Sequence, residues 1–150
     1  MTITASKINW FLLFKLPAAW FCGVRAKTIS DDKCEVAVNS RWINRNPFGS
    51  MYFAVQMMAA ELATGALLLS KIRQSGKSVS MLVASNDAVY RKRVTGRVHF
   101  ICNDGQLVSD TINAMADPTL GHTLVLKSVG RDADGEIVSE MTFQWTLKLR

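Results

Sequence analysis

The segment "SMYFAVQMMAAELATGALLLSK", Ser50 to Lys71, constrains the fold more than any other part of the chain. Between Met51 and Leu69 it is apolar on nearly every helical face, so a helix here must be covered on more than one side. The run has the length of a membrane span. It also carries Gln56 and a central Glu61. A central acid costs about 2.5–3.5 kcal/mol on insertion scales, so a helix buried in protein is the expectation. Ser50 is placed to cap its start, and Gly76 in "RQSGKS" to end it in the left-handed conformation.

The flanking segments supply the cover. "GVRAKTISDDKCEVAVN" reads as two short strands about the turn "SDDK". "SRWINRNPFG" reads as a loop, with Pro47 holding Asn46 away from helical geometry and Gly49 permitting a tight turn. Val79 to Ala88, apolar on both faces, predicts a central strand. "VYRKRVTGRVHFIC" predicts another, basic in its first half, and "NDGQLVSDTINAMADP" a short helix with Leu107, Val108, Ile112 and Met115 on one side. The chain closes with a hairpin turning at Asp134-Gly135. In its last strand Ile137, Ser139, Met141, Phe143, Trp145, Leu147 and Leu149 face one way and polar residues alternate with them. Near the N-terminus, Lys15 and Pro17 cut the apolar run of "INWFLLFKLPAAWFCG" to the lower limit for a signal peptide. Ile8, Leu12, Leu16, Ala19 and Trp20 instead recur as one covering helix.

This order predicts an α+β fold: a curved antiparallel sheet wrapped around one long central helix, with an N-terminal covering helix. At 150 residues and 49% hydrophobic content, one domain spanning residues 1–150 is expected. The net charge of +6 points to an anionic partner and leaves nucleic acid, a phosphorylated small molecule and an anionic membrane open. Three widely spaced cysteines without a CxxC suggest a reduced, cytoplasmic setting. His99 and His122 have no metal-ligand spacing, so each reads as a surface or satisfied strand residue, and no protein-held metal is expected.

On these segments the chain resembles the hotdog-fold superfamily. Within it, the chain is similar to small uncharacterised bacterial proteins related to the acyl-CoA thioesterases of phenylacetate degradation. In those thioesterases an Asn opens a loop, a Gly follows three residues later, a His-Gly-Gly triplet starts the helix, and an acid follows eight residues after the triplet's first glycine. The corresponding residues here are Asn46, Gly49 and Glu61, whereas Tyr52, Phe53 and Ala54 stand where the triplet would be. The resemblance implies an acyl thioester hydrolase whose coenzyme A is part of the substrate, with no separate cofactor, working as a homodimer or tetramer.

Spacing adds a constraint of its own. Eight residues of helix span about 12 Å, too far for the N–H of Phe53 and the carboxylate of Glu61 to address one carbonyl carbon. Such groups meet only across a two-fold dimer. There, backbone N–H groups at Phe53 and Ala54 would hold an oxyanion, Glu61 would act as general base or nucleophile, and Asn46 would orient water or the carbonyl. Gly49, Tyr52 and Gln56 would line the substrate. Alternatively, Arg41, Arg45 or Arg91 neutralises Glu61, which then serves only packing or dimer register. Gln56 and Thr64 read as polar residues of a dimer interface, and Met57–Met58 as adaptable core. Arg91, Lys92 and Arg93, with Arg97, read either as a solvated edge strand or as a landing site for coenzyme A phosphates. The competing functions are a non-catalytic acyl-CoA or lipid-binding protein and, less well supported for want of interleaved aromatics, a nucleic-acid binder.

Overall fold

A computed structural model describes residues 3–150. Its elements run α1 (Ala5–Lys15), α2 (Pro17–Phe21), β1 (Arg25–Ile29), β2 (Cys34–Asn39), a 3-10 turn at Trp42–Asn44, α3 (Phe53–Ser75), β3 (Val79–Tyr90), β4 (Arg97–Cys102), α4 (Gly105–Ala114), β5 (Gly121–Asp132) and β6 (Ile137–Leu149). The strands form one antiparallel sheet in the order β1-β2-β4-β5-β6-β3. The sheet curves around α3, whose Val55, Ala59, Ala63, Leu67 and Leu68 are buried against Val36, Phe100, Leu126 and Phe143. Small residues on the helix let the large ones on the sheet close in.

Helix α3 is long and apolar enough to cross a membrane, and 61% of its apolar window is buried within the chain. It ends where expected, at Gly76 with φ +70°. It begins two residues later than Ser50 suggested. Ser50 Oγ bonds the Asn46 side chain, while Met51 N–H donates to Val94 O (2.7 Å) and Tyr52 N–H to Asn44 O (2.8 Å). Those bonds hold residues 51 and 52 extended, so the N-cap is Tyr52, without a side-chain cap.

The single covering helix is two. Pro17 lacks an N–H and sits at the first position of α2; Leu16 between the helices is 43% exposed instead of buried. Ile8 and Leu12 of α1 do face the core. From the same helix, Asn9 Nδ2 donates to Ala26 O (3.0 Å) and Asn9 Oδ1 accepts from Ala26 N–H (2.9 Å). A side chain thus occupies the free edge of β1.

The predicted central strand is the other edge. Among the described residues β3 pairs only with β6, from Val79↔Leu149 to Tyr90↔Ser139, and Leu82, Val89 and Tyr90 are exposed. Two apolar faces report the need for cover, not the number of ladder neighbours. The basic run also differs from expectation. β3 ends at Tyr90, and Arg91–Gly96 is a connection in which the Arg91 and Lys92 N–H groups both donate to Val138 O.

In α4, Val108 and Ile112 are buried, with Met115 just beyond, while Leu107 is 45% exposed. Lys77 Nζ caps its C-terminal carbonyls at Ile112 O and Met115 O, both 2.7 Å. The closing hairpin turns at Gly135 (φ +82°), and Ser139, Met141, Phe143, Trp145 and Leu147 are buried as the alternation requires. Val138 is buried too. All three cysteines are free; Cys34 and Cys102 lie opposite one another, and burial pushes both thiols up to about 12.

Candidate functional site

Glu61 projects from the middle of α3 toward α1 and β6. Its Oε1 lies 3.2 Å from where a Cβ on Gly65 would stand, and the Trp145 ring lies 3.3 Å from the same point. Among the described residues no hydrogen bond or ion pair reaches the Glu61 carboxylate, and burial pushes its carboxyl above the usual range. The candidate counter-ions lie elsewhere. Arg41 lies against Gly23, Arg45 Nε donates to Ser40 Oγ (3.2 Å), and Arg91 pairs with Glu140 (2.5 Å). Glu61 is therefore a half-buried acid without a neutralising arginine.

The carboxylate opens into an apolar cavity of about 450 Å³, walled by Ile8 and Phe11 of α1, Leu62, Ala66 and Leu69 of α3, and Met81 of β3. Arg73, which also lines it, lies twelve residues beyond Glu61, about 18 Å along the helix axis at 1.5 Å per residue. The cavity is thus elongated, with an acid toward one end. Thr64, expected at an interface, is fully buried within the chain: its hydroxyl donates to Glu61 O (2.9 Å) and accepts from Trp145 Nε1 (3.2 Å). Gln56 is buried as well, its Oε1 accepting from Ser139 Oγ (2.9 Å).

A second hollow, of about 350 Å³, gathers Asn46, Phe53, Gln56 and Arg91–Arg93. Asn46 Oδ1 accepts from Phe48 N–H (3.0 Å) and Ser50 N–H (3.2 Å), so this side chain closes its own loop, with Gly49 at φ +78°. Gly49, Tyr52 and Ala54 do not line the hollow. The N–H groups of Phe53 and Ala54 have no acceptor among the described residues. The Phe53 ring stands edge-on between Tyr52 (5.0 Å) and Tyr90 (5.9 Å) and is 53% exposed. Two of the three basic residues are already neutralised: Arg91 by Glu140, Lys92 by Asp132 (2.9 Å) and Glu136. Arg93 has no carboxylate partner among the described residues.

The chain thus brings Asn46, Phe53, Gln56 and the basic run together but leaves Glu61 in a separate cavity. Gly65 and Trp145 were not singled out from the sequence, though both were accessible: Gly65 follows Glu61 by one helical turn, and the β6 alternation points Trp145 inward. The α1 wall was not accessible, because no local pattern says where a covering helix docks. Away from both hollows, His99 Nδ1 lies 2.6 Å from Glu35 Oε1, whereas His122 Nε2 is buried without a hydrogen-bond partner among the described residues. No group of three potential metal ligands occurs among the described residues.

Solved structures share this architecture. A Pseudomonas aeruginosa protein of unknown function, named a probable thioesterase, superposes with TM-score 0.83 at 20% identity, covering 100% of this chain and 99% of that one. A Chlorobaculum tepidum protein of unknown function gives 0.82 at 14% identity, over 99% of both chains. A thioesterase from Haemophilus influenzae gives 0.76 at 14% identity, over 99% of this chain and 93% of its own. At these identities the likeness establishes the fold, which is the hotdog fold. No curated protein matches the chain in sequence. One family profile does, over residues 4–147, and the chain belongs to that family, described as Domain of unknown function (DUF4442).

Proposed function

We propose that the protein binds an acyl thioester such as an acyl-CoA and hydrolyses it at a site shared between two copies of the chain. One observation carries the reading: a half-buried carboxylate, with no ion partner among the described residues, at the edge of an elongated apolar cavity. The cavity takes the acyl chain. Glu61 removes a proton from water as the oxygen attacks the thioester carbonyl, and the N–H groups of Phe53 and Ala54 from the partner stabilise the oxyanion. Collapse expels the thiolate, which takes up the proton. Asn46 holds the loop before the helix start, and Arg93 meets the phosphates of coenzyme A. Thioesterase names among the structural neighbours are consistent with this chemistry.

The open edge of β3 supports the dimer. On the side away from β6 its ladder groups face no strand among the described residues, and Leu82, Val89 and Tyr90 are exposed along it. Phe53 packs on Tyr90, and Asn86 Nδ2 reaches Met57 Sδ (3.3 Å), so the first turns of α3 run beside that edge. Two-fold pairing there would carry each helix start toward the other copy. A reduced, cytoplasmic setting suits the three free thiols.

A second reading, acyl binding without turnover, is favoured by the Phe53 ring, which stands where a small residue would leave the helix start open. Nucleic-acid binding loses support, since carboxylates neutralise Arg91 and Lys92. The test is thiol release from short, long and aromatic acyl-CoAs. Release by the wild type and none by folded Glu61→Gln supports hydrolysis; equal rates overturn the role of Glu61. Tight binding without release supports the second reading.

A further inference from the structure

The phosphate-binding capacity that the sequence suggests at Arg91–Arg93 is largely spent on ion pairs, yet the chain keeps another cluster of cations uncompensated. A hollow of about 150 Å³ on the outer side of β1, β2 and β4 is lined by Arg25, Lys27, Arg41 and Arg97, with Gly23 and Asn39, and by no carboxylate. In register, Arg25 lies opposite Ala37 and Arg97 opposite Asn39, which puts the side chains of neighbouring strands on one face.

The cluster is built. The Arg25 guanidinium lies 3.4 Å above the Trp20 ring, and its Nη1 donates to Trp20 O (2.8 Å) and Val24 O (2.7 Å). This fixes the group and leaves Nη2 for a ligand. Arg97 Nε is held by Asn39 Oδ1 (2.7 Å), leaving both terminal nitrogens. Gly23, at φ +87°, gives room for Arg41, whose guanidinium a Cβ at that position would strike. Arg41 N–H is tied to Asn44 Oδ1 (2.7 Å), and Asn44 Nδ2 to Cys22 O (2.9 Å) and Asn39 O (2.8 Å), so a buried asparagine seats the segment carrying Arg41. No carboxylate pairs with Arg41 or Lys27 among the described residues. Arg25 is held below the ordinary guanidinium range by burial and then by the neighbouring charge of Arg41, as befits like charges gathered without a counter-ion. Glu35, the carboxylate of β2, is paired with His99.

We propose that Arg25, Lys27, Arg41 and Arg97 form a binding site for a phosphate group, separate from the acyl cavity and independent of the proposed hydrolysis. Guanidinium forks from two strands and a turn match the tetrahedral oxygens of phosphate, and the hollow holds a phosphate group and little more. Phe21 (63% exposed) and Trp42 (87% exposed) adjoin it in the chain, next to Cys22–Gly23 and to Arg41. The phosphate can thus belong to a soluble phosphate compound or to an anionic lipid headgroup flanked by aromatics.

Two arms separate these sources. Calorimetric titration of the full chain with inorganic phosphate and pyrophosphate at low salt reads the soluble source. Co-sedimentation with phosphatidylglycerol vesicles, against phosphatidylcholine vesicles, reads the headgroup. Binding in either arm, weakened at least tenfold by Arg41→Gln with Arg97→Gln and unaffected by Lys148→Gln, upholds the site. Lys27→Gln, on an exposed side chain that holds no other group, should weaken it severalfold even if the double variant folds poorly. No binding in both arms, or binding that all these substitutions leave unchanged, overturns it.

Discussion

Glu61 and Trp145 share the space that Gly65 leaves open: a Cβ at position 65 would lie 3.2 Å from the carboxylate oxygen and 3.3 Å from the indole. Replacing Gly65 by Ala gains about 1 kcal/mol of helix propensity and displaces both side chains by a few tenths of an ångström. The stability gain and the crowding oppose each other. Gly65→Ala should therefore unfold within about 1 kcal/mol of wild type by urea titration. Its thioester hydrolysis, or acyl-CoA affinity if there is no turnover, should fall roughly tenfold, about 1.4 kcal/mol.

Burial raises the carboxyl of Glu61, and the sign of its linkage follows. The folded state holds this proton to higher pH than the unfolded chain does, so stability falls as pH rises from the unfolded value to the folded one. Above that window the ionised acid remains a constant penalty. Glu61→Gln should raise the Tm at pH 8 relative to wild type and leave it unchanged near pH 3, where both forms of the site are neutral. Hydrolysis by wild type should rise with pH through the same window, since only the ionised carboxylate acts as base.

Shared sites can be tested by complementation. Phe53→Pro removes one N–H at the first helical position, where proline is tolerated, and Tyr52 at φ −60°, ψ 130° already has the geometry that precedes proline. Phe53→Pro and Glu61→Gln should each be inactive alone. Mixed dimers contain one site with both parts intact, so mixing under exchange should restore thiol release, whereas a site within one chain would stay dead. Phe53→Ala, which keeps the N–H, separates loss of the donor from loss of the ring.

Ser139 Oγ donates to Gln56 Oε1 with both residues buried. Ser139→Ala leaves that carbonyl oxygen unsatisfied and should cost about 1–3 kcal/mol in urea unfolding. Ser139→Ala combined with Gln56→Leu should cost less than the sum of the two single changes, the signature of a direct pair.

The long helix, the β1–β2 pair and the closing hairpin were legible because each is set by short-range pattern: apolar on all faces from Met51 to Leu69, a polar turn between alternating strands, and Asp134-Gly135. The isolated acid was legible too, because a charge inside such a run stands out. Misreadings arose where a partner distant in sequence decides local structure. Val94 and Asn44 take the N–H groups of residues 51 and 52, so Ser50 does not cap α3. Glu140, Asp132 and Glu136 neutralise Arg91 and Lys92, so the most basic run in the sequence is not the most basic site.

Residue type and periodicity alone determined that this chain folds as a curved sheet around one buried helix with Glu61 in its midst, because burial of apolar surface dominates and its periodicity is local. Only the tertiary structure decided that Glu61 has no ion partner among the described residues and faces a cavity walled by α1, that β3 is an edge, and that Arg25, Lys27, Arg41 and Arg97 converge. Those are facts about which surfaces meet, and charges far apart in sequence interact only once folding has set the distance and the dielectric between them.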